Sequence, residues 1–374
     1  MKKTLVAVAM LGAFAGSAIA ADVTLYGNID TGLNYERIDK DNNTDTTNTF
    51  QMKSGQQAGS RWGLKGKEDL GNGYAVGFIL ESGFGSDDGS LEQGRLFRRE
   101  SSLSLYTPFG QVSFGRFGSI NQGVSSWGKI GMLSAFSTGY GSYVAQVGTT
   151  LKTASVYDNA IGYQTPSFAG VKVYAQYAMG NTKESSTAAT ELDGTENKSS
   201  KDRYYVIGAT YNNGPLNLFF SVDSTNYRSW DATNNVSRGD VDDSLTVTLG
   251  GNYNFGVAKL HAGAQYMDEV SFSGIQGSLG KVKGYGLTVS ASIPAFGGSA
   301  LVGAGYMDLG EADSNATKFD FSRWVVSAGY DYMITKRTNV YAVASYTQDT
   351  YEVTGAADRE PNAATAMVGL RHRF

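Results

Sequence analysis

The chain contains no cysteine in 374 residues, so disulfides, thiolate metal sites and thiol catalysis are excluded together. It also lacks any apolar run of roughly eighteen residues, so no helix crosses a membrane. Proline is scarce, at five residues, which rules out a proline-rich disordered chain and, without a glycine period, collagen. Only two histidines occur, His261 and His372. His372 shares the parity of Leu370 and Phe374, and His261 has no evident nucleophile beside it, so the inventory offers no catalytic constellation and no cofactor site.

What is abundant is glycine, at 48 residues, with 23 Tyr and 18 Phe. Many small residues, many aromatics and a mean hydropathy of −0.26 fit a wall that is apolar on one face and wet on the other. The N-terminus reads as an export signal. Lys2 and Lys3 precede an apolar run from Leu5 to Phe14, and Ala18 and Ala20 supply a small-residue cleavage site before Ala21. We therefore expect a signal peptide over residues 1–20 and a single unit over 21–374. Loss of Lys2 and Lys3 leaves 29 basic against 35 acidic residues, a formal charge of −6, which disfavours nucleic acid as a partner.

From Ala21 onward, alternating runs of about ten residues recur. In one, Val23, Leu25, Ile29 and Leu33 alternate with Thr24, Asn28, Asp30 and Asn34. In another, Leu245, Val247, Leu249, Tyr253 and Phe255 alternate with Thr246, Thr248, Asn252 and Asn254. Seven short links, near 69–73, 107–110, 166–170, 212–215, 254–256, 294–298 and 334–338, interleave with eight long polar links near 36–59, 83–94, 118–155, 179–203, 226–243, 269–282, 308–321 and 348–363. They join sixteen strands. Alternation alone does not separate a soluble sandwich, apolar face inward, from a membrane barrel, apolar face outward. The export signal and the alternating last strand, ending on Phe374, decide for the barrel. Tyr211, Tyr253, Phe255, Tyr266, Tyr330, Tyr332 and Phe374 fall near strand ends on apolar faces, where interfacial girdles belong. The expected fold is an all-β, 16-stranded antiparallel transmembrane β-barrel of the cell outer membrane, wide enough for an aqueous lumen.

The segments ADVTLYGNIDTGLNY, SRWGLKGKEDLGNGYAVGFILE, FGQVSFGRF, DNAIGYQTPSFAGVKVYAQYA and VGLRHRF, in this order and spacing, resemble the general porins of beta-proteobacterial type within the Gram-negative porin family. The resemblance spans the chain from Ala21 to its end. It implies a homotrimer, passive diffusion of small hydrophilic solutes and ions, and a third long loop folded into each lumen as a constriction. The residues reach that loop independently: Gly118 to Ser155 is the longest link between two alternating strands, and Ile120, Trp127, Ile130, Met132, Leu133, Phe136 and Tyr140 give it apolar content that must pack on something.

Charge rings at the narrowest section set selectivity in a wide pore. Basic residues matching Arg61, Arg99 and Arg116 line the wall opposite the loop in the resembled family. Parity turns Arg61 and Lys65 toward the lumen, because they alternate with Trp62 and Leu64. Arg98 and Arg99 are adjacent, so within a strand one must point inward, though parity does not say which. Arg116 shares the parity of Val112 and Phe114, which places it past the strand end or beside a bulge. Glu81 is inward by parity and, with Glu92 or Glu100, opposes the cations. Between Phe117 and Tyr157 there is no Asp or Glu, while Lys129 and Lys152 are present. The expected constriction is thus Arg61, Lys65, Arg98, Arg99, Arg116, Lys129 and Glu81, and the expected preference is for anions.

Most acids sit on other long links, as at Asp39, Asp41 and Asp45, Asp87 and Asp88, and Asp240, Asp242 and Asp243. We read them as a solvated rim rather than calcium sites, since no EF-hand spacing occurs. Lipopolysaccharide and outer-membrane lipid are the expected surroundings. The rival readings are a substrate-specific channel, with Tyr140 and Tyr143 as an aromatic track, and a surface-binding barrel using the same loops.

Overall fold

The computed structural model describes residues 22–41, 46–123, 125–181, 202–227, 230–231, 236–237, 242–313, 318–353, 355 and 357–374. The signal-peptide expectation over residues 1–20 lies outside the described residues, as do Asp45 and Asp240. Among the described residues the helices are single turns, and none is long and apolar enough to cross a membrane.

The strands are β1 (Thr24–Asp39), β2 in two segments (Thr47–Ser54 and Arg61–Gly71), β3 (Tyr74–Gly83) and β4 (Glu100–Thr107). Then come β5 (Gly110–Gly118), β6 (Val156–Gln164), β7 (Val171–Asn181) and β8 (Asp202–Asn213). β9 (Leu216–Asn226), β10 (Ser244–Asn254), β11 (Lys259–Gly274) and β12 (Gly277–Ala295) follow, and β13 (Gly298–Glu311), β14 (Phe319–Met333), β15 (Thr338–Val353) and β16 (Asn362–Arg373) complete the wall. Each pairs antiparallel with its neighbour, and β16 returns to β1 through Asn28↔Arg373 to Asp39↔Asn362. The barrel is therefore closed. Both segments of β2 run along β1, the first on Thr31–Ile38 and the second on Thr24–Asn28.

The seam shows why the last residue matters. Gly27 and Phe374 exchange backbone hydrogen bonds of 3.1 Å, and the Phe374 ring occupies the space a Cβ on Gly27 would fill. His372 bonds Thr338 across the neighbouring strand at 2.9 Å.

Alternation places greasy side chains on the exposed face. Ile29 is 43% exposed and Asp30 0%; Val289 is 58% and Ser290 4%. A wall that exposes its aliphatic residues and buries its polar ones is suited to lipid, not water, on the outside. Tyr253, Phe255, Tyr266, Tyr332 and Phe374 are exposed as a girdle requires. The short turns add Phe109, Phe168 and Phe296, each largely exposed.

Two expected links are strand instead. Residues 47–54, read as part of a polar link, form the first segment of β2, because Phe50 and Met52 continue the exposed apolar row. The link expected over 269–282 is the tip of the β11–β12 hairpin. A register shift between Met267 and Val270, with Glu269 in the left-handed region (φ 49°), reverses parity there and hides the alternation. Beyond it, Val270, Phe272 and Val282 bury against Met307, Leu309, Phe319 and Phe321. The tip is tied down where the Ile275 N–H donates to Asp349 Oδ2 at 2.6 Å.

The link from Ser119 to Ser155 packs against the polar face of the wall. Its first half buries Trp127, Ile130 and Leu133 with Phe117, Tyr157, Tyr174 and Tyr204; its second buries Phe136, Tyr140, Val144 and Ala145 with Leu301, Val325, Tyr341 and Val343. Hydrogen bonds fix its course: His261 Nδ1 with the Met132 carbonyl at 2.8 Å, Ala135 N–H to Ser290 Oγ at 2.8 Å, and Ala145 N–H to Ser327 Oγ at 2.7 Å. His261 thus serves the loop's backbone.

Candidate functional site

Arg61, Lys65, Arg98 and Arg99 lie on β2 and the link before β4, while Arg323 of β14 and Arg371 of β16 also stand on the polar face. In β2, Arg61, Gly63 and Lys65 pair with Asn28, Tyr26 and Thr24 of β1, all on the polar row. Lys65 lies 5.1 Å over the Tyr26 ring, and Tyr26 donates to Glu81 Oε2 at 2.9 Å. Glu81 also receives Arg99 Nε at 2.7 Å, with Arg61 Nε 3.7 Å away. The inward placement read for Arg61, Lys65 and Glu81 matches this register.

Arg98 and Arg99 precede β4 rather than lying within it, so strand parity does not govern them. The Arg99 N–H donates to the Glu81 carbonyl at 3.2 Å. Its side chain, 5% exposed, reaches Glu81 and stands 3.8 Å from Glu92. Arg98 Nη1 meets Glu92 Oε1 at 3.0 Å. Both arginines therefore converge on Glu92, and Arg99 also on Glu81. Arg61 and Arg99 thus share Glu81 and Arg98 and Arg99 share Glu92, with Glu100 held separately by Ser102 Oγ and Ser126 Oγ, each at 2.8 Å. The second of these bonds ties the root of the 119–155 link to the arginine-bearing wall.

Arg116 pairs with another carboxylate, Asp158, and bonds the Arg98 carbonyl. The register sets Leu80, Ser101 and Arg116 in one row across three strands, the row that Phe78, Leu103 and Phe114 continue on the exposed face. Opposite it, a register shift between Gly115 and Phe117 leaves Asp158 and Asn159 as a bulge, with Asn159 at φ 51°. Arg116 Nη1 meets Asp158 Oδ1 at 2.8 Å and its Nε donates to the Arg98 carbonyl at 2.6 Å. Arg95 grips the same carboxylate at 3.0 and 3.2 Å. The bulge signalled by parity is present, on the partner strand. Asp158 escaped the sequence reading because it stands one residue past the acid-free stretch.

The Lys129 Nζ donates to the carbonyl of Ser126, the residue that bonds Glu100, at 3.4 Å. Burial first, and then the neighbouring Lys172, lower its pKa from the ordinary lysine value. Lys152 is likewise lowered by burial, and donates to the Ser271 carbonyl at 2.7 Å. Tyr140 offers no face to a passing solute: it is 4% exposed, between Phe136 and Tyr341. Among the described residues no cluster of His, Asp and Glu has the arrangement of a metal site.

A closed barrel with an exposed aliphatic face, a polar interior and a cationic patch on one side of that interior defines a membrane channel. Residues 7–351 match the family of Gram-negative porins, and the chain belongs to that family. It is 36% identical to an outer membrane porin protein of Bordetella pertussis, and 29% identical to outer membrane porin protein 32 of Delftia acidovorans, each match covering 100% of both chains. Among solved structures it is similar to an anion-selective porin from Comamonas acidovorans, with a TM-score of 0.68 and 26% identity over 95% of this chain and 100% of that one.

Proposed function

We propose that this protein is a general porin of the outer membrane: a water-filled channel through which small hydrophilic solutes and ions diffuse passively, with a preference for anions. The observation that carries the reading is the inversion of the wall, in which Ile29 and Val289 face outward while Asp30 and Ser290 are buried. The link 119–155 occupies the lumen and narrows it. Supporting this are its hydrogen bonds to polar-face residues from β10 to β15, while toward β1 to β4 it is anchored where Ser126 meets Glu100 and Tyr140 meets Gln56 and Gln57.

The anion preference rests on Arg61, Lys65, Arg98 and Arg99 outnumbering Glu81, Glu92 and Glu100, and on a loop without carboxylates. The solved anion-selective porin of Comamonas acidovorans supports the same sign. Local pairing weakens the field, so the preference is moderate rather than absolute. Export through a cleaved signal over residues 1–20, assembly as a homotrimer and a surround of lipopolysaccharide complete the proposal; Vibrio cholerae OmpT, whose similarity here concerns the fold, is itself described in a trimer form. Neither catalysis nor a bound cofactor has a place in it. The substrate-specific alternative loses Tyr140 as a stacking surface.

Single-channel recording in planar bilayers tests the reading. Stable, ohmic steps that close in threes and a reversal potential of anionic sign are expected. A protein that stays monodisperse without detergent and forms no channels contradicts it.

A further inference from the structure

Between its two segments, β2 leaves the sheet for six residues, Gly55 to Ser60, and the path of this excursion is heavily fixed. Asp30, with no exposed surface, accepts the N–H groups of Gln57 at 2.8 Å and Ala58 at 2.7 Å on one oxygen, and the Tyr341 hydroxyl at 2.6 Å on the other. Asn28 Nδ2 holds the carbonyls of Ala58 and Gly59, at 2.9 and 3.2 Å. So many bonds to one short break exceed what a strand irregularity needs. A buried carboxylate satisfied by two N–H groups and a hydroxyl fixes backbone geometry closely.

The two ends of the excursion touch the two sides of the constriction. At one end, the Tyr140 N–H donates to the Gln56 carbonyl, Gln57 Nε2 donates to the Tyr140 hydroxyl at 2.7 Å, and Gly139 packs so closely on the Gln57 carbonyl that a Cβ has no room. Gln57 is itself held by Asp331 at 2.9 Å and Asn339 at 2.8 Å. At the other end, Arg61 Nη1 donates to the Gly59 carbonyl at 3.3 Å, and a Cβ on Gly59 would stand 3.1 Å from Arg99 Nη1.

We propose that Gly55–Ser60 is a spacer that sets the gap between the loop tip and the arginines, with Asp30 and Gln57 as its positioning residues. The inference rests on the reading of the 119–155 link as the constriction. Shortening or loosening the spacer changes the size and charge of the narrowest section without touching any cation. A wall residue far from the loop tip has no such effect.

The test is single-channel recording on the full chain carrying Asp30→Asn, Gln57→Ala or Gly59→Ala, with Gln111→Ala as a control on the polar face of β5, where its side chain bonds Ser104, Ser113 and Gln164. Gln57→Ala keeps every backbone bond to Asp30, so it folds even if Asp30→Asn does not. We expect Gln57→Ala to raise current noise and closing frequency several-fold and to shift conductance, with the heat resistance of the barrel in electrophoresis unchanged. Gly59→Ala crowds the Arg99 guanidinium and shifts the reversal potential, while Gln111→Ala matches the wild type. Folded Gln57→Ala and Gly59→Ala channels that match the wild type in noise, conductance and selectivity overturn the proposal. A wild-type protein that forms no channel overturns the underlying function instead, so the two failures are distinct.

Discussion

At the scale of single residues, burial and pairing separate arginines that look alike in sequence. Arg99 lies on Glu81, 5% exposed, whereas Arg116 shares Asp158 with Arg95. Arg99→Glu replaces a cation by a carboxylate beside Glu81 and Glu92, so the reversal potential should move toward cations. Arg116→Ala should leave selectivity close to wild type and act on stability. It removes a charged partner from a nearly buried carboxylate, and a loss of about 1–3 kcal/mol is expected in urea unfolding of the reconstituted barrel. A large selectivity change in Arg116→Ala contradicts the division of the cluster. Arg61 and Lys65 were legible in the sequence because a strict period of two governs a strand interior. Arg98 and Arg99 were not, since they lie outside β4, where side-chain direction is set by partners that sequence does not name.

At the scale of elements, most of the wall was legible, because an alternating strand between turn residues needs no tertiary information to be recognised. Legibility failed where a bulge reversed the parity, as between Met267 and Val270, and where polar residues on a strand imitated a loop, as at Thr47–Ser54. The β11–β12 hairpin reaches inward to a buried pair, in which Arg323 forks onto Asp349 at 2.6 and 2.8 Å and also donates to the Thr149 carbonyl at 3.3 Å. Arg323→Ala removes the paired cation from Asp349, which has no exposed surface and keeps the Ile275 N–H as a donor. The expected cost is about 3 kcal/mol, seen in the same unfolding assay, with proteolysis of the hairpin tip increased. At the seam, Gly27→Val collides with the Phe374 ring, and the heat-resistant band of the closed barrel should be lost. A variant that keeps that band denies Phe374 its closing role.

For the whole molecule, the account joins one inversion to one asymmetry. The inversion of apolar and polar faces makes the barrel a membrane wall. The asymmetry we propose follows from the 119–155 link bonding chiefly to the polar face of β10 to β15, so that the cluster of Arg61, Lys65, Arg98 and Arg99 on the facing side meets the permeating ion. The overall charge, −4 for the full chain and −6 without Lys2 and Lys3, predicts the opposite preference, so local and global charge are here in direct competition. Screening decides between them: fixed charges farther from the ion than about 8–10 Å at moderate salt contribute little. The most direct measurement is the zero-current potential of the wild-type channel in a potassium chloride gradient. The account predicts a potential of the sign set by chloride, reduced in Arg99→Glu; a potassium-signed potential in the wild type contradicts it.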